Sequence, residues 1–178
     1  TPVDIVATPA ATLIAGLAAA QFVGPAIQAG MTEIGALIMW AVDLQPFLMG
    51  ILVSVIMGIL LTLPVSSAAV AIALSLNGLA AGAATVGCCA QMVGFAVMSF
   101  RDNRWSGLLS QGLGTSMLQM PNIVKNPKVW LPPIIASAIL GPLATLVFQM
   151  QNIPSGAGMG TSGLVGQVGT LDAMGGTP

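Results

Sequence analysis

Charge is the scarcest property of this sequence. Only 5% of its 178 residues are charged, whereas 56% are hydrophobic and the mean hydropathy is +0.96. Soluble domains carry about 25% charged residues, and a water-soluble fold of this size could not build its polar surface from so few. The composition therefore excludes a soluble globular enzyme and predicts an integral membrane protein built from apolar helices.

Histidine is absent, and cysteine occurs only at the neighbouring positions Cys88 and Cys89. Without histidine the chain lacks the commonest general base and the commonest metal ligand. Two adjacent cysteines cannot supply the spaced ligands of a zinc site or a disulfide framework, so we interpret them as small residues buried in a helix. We therefore expect no catalysis by this chain, no metal and no cofactor.

A net charge of −1 leaves no basic face for a nucleic acid to bind, so we expect no nucleic-acid partner. Apolar runs instead predict membrane crossings, each needing about 20 residues of helix. The predicted crossings cover residues 5–28, 47–63, 86–100 and 129–148, and a further helix is predicted over 68–76, with an extension to 84 as the alternative. Residues 34–42 are too few to cross alone, and we expect them in a tilted or broken helix that begins near Thr32 and Glu33.

Helix breaks are expected at two places between these runs. Pro64 is predicted to end the crossing over 47–63, and the hydroxyls of Ser66 and Ser67 to cap the next helix. Asn77 and Gly78 weaken that helix, while Gly78 and Gly82 form a GxxxG pair that allows close helix approach. The sequence therefore predicts an all-α fold, a polytopic transmembrane helix bundle with broken helices and re-entrant glycine-rich segments.

All four basic residues lie in the connection 101–128, together with a single acid, Asp102. Because cytoplasmic loops of membrane proteins are rich in lysine and arginine, we place this connection on the cytoplasmic side. The basic side chains are interpreted as topology anchors, with contact to a cytoplasmic partner or to anionic lipid heads as the alternative. The middle of the connection, 107–121, is uncharged and is expected to dip back into the membrane or into a cavity wall.

The pattern G-x-G-T-S occurs twice, at 112–116 and at 158–162. The second copy lies in a glycine-rich stretch, 154–178, that we expect to be re-entrant or a tail. Paired glycine-interrupted segments are typical of a central transport site, although chance similarity in a glycine-rich protein is the competing explanation.

A neutral polyol such as a sugar needs hydrogen-bonding partners that are cheap to desolvate. The candidate solute-binding residues are the uncharged Gln91, Gln111, Thr115, Ser116, Gln119, Asn122, Thr161, Ser162 and Gln167. Glu33 is added because a carboxylate at membrane depth is a functional candidate. For each of them the alternative is structural, since serine and threonine often bond to their own helix and glutamine often bonds across helices.

Six stretches are specific enough to compare with a known family. They are DLQPFLMGI from Asp43, LPVSSAA from Leu63, GAATVGC from Gly82, QMVGFAVMSFR from Gln91, GLGTSMLQMPNIV from Gly112 and GAGMGTSGLVGQ from Gly156. Together they resemble the IIC-type membrane components of the bacterial sugar phosphotransferase system. More narrowly, they resemble the branch of that family that includes the perfringolysin regulator protein.

This resemblance implies a homodimeric, multi-pass translocator in the bacterial inner membrane, surrounded by lipid. It would bind a small neutral solute, a sugar, in a central polar cavity and move it by alternating access. Phosphoryl transfer would belong to cytoplasmic IIA and IIB partners. Residues 1–178 are then expected to be one transmembrane domain, the later part of a longer IIC-type chain.

Sugar-specific relatives use a glutamate and a histidine at the sugar, whereas this sequence has no histidine. Two other functions therefore stay open. One is a membrane-embedded solute sensor or regulatory protein without transport, and the other is a purely structural subunit.

Overall fold

The structure, a computed structural model, describes residues 4–175 and the side chains from residue 11 onward. Within that range the chain is helical, apart from turns and a single β-bridge between Gly78 and Asn152. The helices are α1 (Asp4–Val42), α2 (Pro46–Thr62), α3 (Ser67–Ala73), α4 (Gly78–Leu109), α5 (Met120–Lys125), α6 (Leu131–Pro142), α7 (Pro154–Ala157) and α8 (Val165–Ala173). The predicted all-α class is confirmed.

Three helical stretches in the described range are long and apolar enough to cross a membrane: Ala11–Val42, Gly78–Gly114 and Pro127–Val147. The second contains the crossing predicted over 86–100, and the third covers the crossing predicted over 129–148 except for its last residue. The crossing predicted over 47–63 corresponds to α2, a shorter apolar helix of 17 residues. At 1.5 Å per residue α2 is about 26 Å long, slightly less than a hydrocarbon core of about 30 Å.

The chain divides into two compact units, residues 1–37 and 38–178. The described part of the first unit is α1 up to Leu37, whose apolar side chains, such as Leu17 and Phe22, are exposed. The prediction of a separate helix that begins near Thr32 is wrong. The Thr32 hydroxyl donates to the carbonyl of Gln28 at 2.9 Å, as mid-helix threonines do, and α1 continues through Pro25.

In the second unit, α2, α4 and α6 pack into a three-helix core. The buried Ser54 hydroxyl of α2 donates to the carbonyl of Ser137 at 2.8 Å, and the Ser137 hydroxyl lies 3.3 Å from the carbonyl of Gly87 on α4. Gly87 lies against the backbone of Ser54, and Gly141 of α6 lies against the carbonyl of Gly50. Small residues therefore let all three backbones approach closely, as is typical between membrane helices.

The break between α3 and α4 follows the predicted signals only in part. Ser66 caps α3 as expected, because its side chain accepts from the Ala69 amide at 3.2 Å. Ser67 instead donates to the carbonyl of Gly158 at 2.6 Å. The helix that was predicted over 68–76, with 84 as the alternative end, ends at Ala73, and α4 starts at Gly78, which has a φ of +59°. Residues 78–84 therefore belong to the same helix as 86–100.

The GxxxG pair of Gly78 and Gly82 does not act as a pair. A Cβ at Gly82 would collide with the carbonyl of Met150, whereas a Cβ at Gly78 would meet nothing within 4 Å. Only Gly82 therefore permits a close approach, and Gly78 serves to begin α4.

Asn152 holds the C-terminal segment against α4, and the sequence analysis did not identify it. Its side chain is buried, and its Nδ2 donates to Thr85 Oγ1 at 2.6 Å and to the carbonyl of Gly166 at 3.0 Å. Its Oδ1 accepts from the Ile153 amide at 2.7 Å. One amide thus links α4 and α8 to the strand-like residues before α7.

We expect Asn152→Leu to lower the free energy of unfolding by about 1–3 kcal/mol, since Thr85 Oγ1 and the Gly166 carbonyl lose a buried donor. Thermal denaturation in detergent measures the effect. Gln151→Leu is the matched control, because the neighbouring Gln151 is exposed. Equal melting temperatures for the two variants would show that Asn152 does not hold the segment.

Candidate functional site

The stretch 107–121 is not a loop but a series of short helical segments. After α4 the chain forms a π-helical turn, Ser110–Gly114, and then a 3-10 turn, Ser116–Gln119, that leads into α5. Thr115 joins them in an extended conformation, and its hydroxyl accepts from the Met117 amide at 3.2 Å. π-helical turns frequently occur at functional sites, so this segment is a natural place to look for one.

Three of the predicted site residues form a chain of side-chain amides. Gln119 Nε2 donates to Gln111 Oε1 at 2.9 Å, and Asn122 Nδ2 donates to Gln119 Oε1 at 2.9 Å. Gln111 and Gln119 are buried, whereas Asn122 is exposed. The hydrogen bonds therefore fix the orientation of these three amides, which run from the buried Gln111 to the exposed Asn122.

Gln119 and Asn122 open into a pocket of about 310 Å³. The pocket is lined by Phe95, Met98, Ser99, Asp102, Asn103, Gln119, Asn122 and Val129. This volume lies at the lower end of the range for small-molecule sites, about 300–1,000 Å³. The pocket combines polar side chains from α4 with those of Gln119, just before α5, and Asn122, in α5.

Ser99, Asp102 and Asn103 were missed by the sequence analysis. Their spacing of three and four residues places them on one face of α4, and this spacing is the signal that could have found them. It was overlooked because the predicted crossing ended at residue 100, whereas α4 continues to Leu109.

The two G-x-G-T-S segments contact each other. The Thr161 hydroxyl donates to the carbonyl of Gly112. The segments are nevertheless not structural copies, because Thr115 is extended and Thr161 is not, with φ −85° and ψ 1°. Neither segment lines the pocket described above, and Gly163, directly after the second segment, borders another pocket, of about 320 Å³, together with Ile153, Ser155, Val165, Val168, Gly169 and Asp172.

Other predicted site residues lie elsewhere in the fold. The Ser116 hydroxyl lies 3.1 Å from that of Thr62, and both side chains are buried. Gln167 Nε2 lies 3.4 Å from the sulfur of Cys89. Ser162 is half-buried at the start of a short 3-10 turn. Glu33 is exposed on α1 in the first unit, whereas the amide chain and its pocket belong to the second.

Gln91 is fully buried on α4, and neither its Oε1 nor its Nε2 has a hydrogen-bond partner among the described residues. It packs against Gly58 of α2, where a Cβ would lie 2.8 Å from Gln91 Cγ. A buried amide without partners costs free energy. Gln91 is therefore a separate polar position in the three-helix core. Of the two cysteines that were predicted to be buried, Cys88 is buried and Cys89 is only half-buried.

The family model described as "Phosphotransferase system, EIIC" matches residues 1–177. No curated protein and no solved structure matches the chain. The chain therefore belongs to the phosphotransferase system EIIC family. It is a membrane protein and a permease-type component of that system, in agreement with its apolar helices.

Proposed function

We propose that this chain binds a neutral sugar in the pocket between α4 and residues 119–122 and moves it across the membrane by alternating access. One observation carries the proposal: the amide chain from Gln111 through Gln119 to Asn122 ends at an open polar pocket. Sugar hydroxyls donate and accept hydrogen bonds, and side-chain amides do the same. Such groups can bind a polyol without a fixed countercharge.

The pocket walls suit the two kinds of surface that a sugar presents. Asn103 and Asn122 offer amides, Ser99 offers a hydroxyl, and Asp102 offers a carboxylate that accepts from hydroxyl groups. Phe95 and Met98 supply an apolar wall for the carbon face of the ring. Because these residues come from two elements, relative movement of the elements would open or close the pocket around the solute.

The proposed movement involves the short helices after α4. The π-helical turn and the extended Thr115 interrupt the regular helix, and broken helices near the binding site are a common feature of transporters. The α2, α4 and α6 core, with its close backbone contacts, is the natural rigid body against which they move. The basic residues of 101–128 favour a pocket that opens toward the cytoplasm, where IIA and IIB phosphoryl donors would act in the bacterial cell.

Asn122→Leu and Gln119→Leu are each expected to weaken sugar binding about tenfold, since each removes a hydrogen-bonding amide and leaves its neighbour unpaired. Binding is measured by calorimetry on the protein in nanodiscs, across a panel of neutral hexoses and hexitols. Gln151→Leu, an exposed amide outside the pocket, is the control. Unchanged affinity in both pocket variants, or the absence of binding by the unaltered protein, would contradict the proposal.

Uptake of a radiolabelled sugar into vesicles separates transport from sensing. A translocator accumulates the sugar that it binds once the phosphoryl donor proteins are supplied. A sensor binds the same sugar with no uptake above vesicles that lack the protein.

A further inference from the structure

A third cavity, of about 460 Å³, lies between α4 and α6 and is distinct from the sugar pocket described above. Its lining is apolar, with valines of α4 on one side and Pro132, Ala136 and Leu140 of α6 on the other. Val97 is 60% exposed and Leu140 is 41% exposed. The cavity is therefore an open groove that a membrane would fill with hydrocarbon.

The length of the groove matches an acyl chain. Its lining on α4 extends from Val86 to Met98, which is about 18 Å at 1.5 Å per residue. One leaflet contributes about half of a hydrocarbon core of about 30 Å. The groove is deep because its lining includes small residues, Ala90 and Gly94 on α4 and Ala136 on α6.

One end of the groove carries two cations. The C-terminal half of α4 lies beside the N-terminal end of α6. A Cβ at Gly94 would lie 3.1 Å from Pro133 of α6. Further along α4, Met98 borders the same pocket as Val129, which precedes α6. Arg101 follows Val97 by four residues and therefore shares its face of α4. Lys128 precedes Pro132 by four residues, and both cations are exposed.

The same end has the character of a membrane interface. Trp105, which follows a kink in α4 at Arg104, is 68% exposed and packs edge-on against Phe100, the neighbour of Arg101, at a centroid distance of 5.6 Å. Exposed tryptophans concentrate at the headgroup level of bilayers. An exposed tryptophan close to Arg101 favours a headgroup depth for this end of the groove, with the rest of the groove toward the middle of the bilayer.

We propose that this groove is a binding site for an anionic glycerophospholipid. One acyl chain lies between α4 and α6, and the phosphate pairs with Arg101 and Lys128. An anionic lipid is favoured over a zwitterionic one because it brings no ammonium group of its own to these cations. The groove shares only Met98 with the sugar pocket, and neither Arg101 nor Lys128 lines that pocket, so either proposal can fail alone.

Native mass spectrometry of the full chain, released from nanodiscs of phosphatidylglycerol or phosphatidylcholine, tests the proposal. We expect retained phosphatidylglycerol on the unaltered protein and little retained phosphatidylcholine. The double variant R101Q/K128Q is expected to lower phosphatidylglycerol affinity by about fivefold per cation. Ala136→Phe, which fills the groove, is expected to lower it by at least about fivefold.

Two matched controls isolate the groove. R104Q/K125Q removes the same charge from the same connection, and Ile135→Phe enlarges a neighbouring α6 residue that does not line the groove. Both should retain phosphatidylglycerol. The charge variant leaves the apolar packing intact, so it tests the proposal even if Ala136→Phe does not fold.

Three results would overturn the proposal. The first is equal retention of the two lipids, and the second is unchanged binding in R101Q/K128Q. The third is a change of the protein's oligomeric mass in Ala136→Phe without a change in lipid binding, since a second copy of the chain would then occupy the groove.

Discussion

Gly87→Ala is expected to lower the free energy of unfolding by about 3 kcal/mol or more. A Cβ at Gly87 would collide with the backbone of Ser54, so α2 and α4 would have to separate. Overpacking of this kind usually costs about 1–3 kcal/mol and more where backbone must move. The separation would also weaken the hydrogen bond from the Ser137 hydroxyl to the Gly87 carbonyl.

Gly16→Ala is the control for this prediction. Gly16 also lies in a helix, but a Cβ there would meet nothing within 4 Å. Alanine is a better helix former than glycine by about 0.5–1 kcal/mol, so the control should be neutral or slightly stabilising. Gly87→Ala is therefore expected to lower the free energy of unfolding and Gly16→Ala to leave it unchanged or raise it slightly. Thermal denaturation in detergent measures both. A neutral Gly87→Ala would mean that α2 and α4 do not pack as described.

Gly160→Leu is expected to reduce sugar uptake to below about a tenth of the unaltered level while the protein still inserts into the membrane. Gly160 has a φ of +56°, which costs a side-chain-bearing residue about 1–2 kcal/mol. A Cβ there would also lie 2.8–2.9 Å from atoms of Cys88 and Cys89. The segment would therefore move away from α4, and Thr161 would lose the Gly112 carbonyl.

Gly163→Leu separates backbone strain from steric clash as the cause of the expected loss of uptake. Gly163 also has a positive φ, +52°, but the atom nearest to an added Cβ would be Val165 Cγ2, 3.9 Å away. This variant has the backbone strain without the clash, so it should keep most of the uptake. Vesicle uptake, normalised to the amount of inserted protein, compares the two. Normal uptake by Gly160→Leu would show that the contact between the two glycine-rich segments is not needed for transport.

Signals that act within a few residues allowed several elements to be predicted. Pro64 and the Ser66 cap fixed the end of α2 and the start of α3, because a proline ring and a capping hydroxyl act on their own turn of helix. A capping hydroxyl gave a wrong helix start at Thr32, because a threonine hydroxyl can either cap a helix or bond back to a carbonyl within one. Only the continuity of α1 decides between these two geometries.

Contacts between distant residues could not be predicted. Ser54 and Ser137 are 83 residues apart, and Asn152 and Thr85 are 67 apart. No local pattern pairs such residues, since the pairing depends on how the helices cross. The two GxGTS segments were recognised as related by sequence, but their different backbone conformations depend on what each packs against.

The candidate site was predictable in its residue types more than in its geometry. Gln111, Gln119 and Asn122 were identified as uncharged hydrogen-bonding residues beside a helix break, and the structure brings them together. Ser99 and Asn103 were missed because the position of the end of α4 decides whether they belong to a helix face or to a loop. Gln91 was identified as well, but it lies in the core rather than in the set of residues that lines the pocket.

The rate of alkylation of Asn122→Cys by a membrane-impermeant maleimide tests the sugar pocket most directly. Cys88 is buried and Cys89 is half-buried, so the new thiol is expected to dominate the reaction. Because Asn122→Cys also lacks the amide that is proposed to bind the sugar, each sugar is added well above the Kd measured for this variant. A sugar that occupies the pocket should then slow alkylation of Asn122→Cys about tenfold and leave an Asn126→Cys control, outside the pocket lining, unchanged. If no sugar in the panel slows the reaction, or if both thiols are protected equally, the pocket between α4 and residues 119–122 is not the binding site.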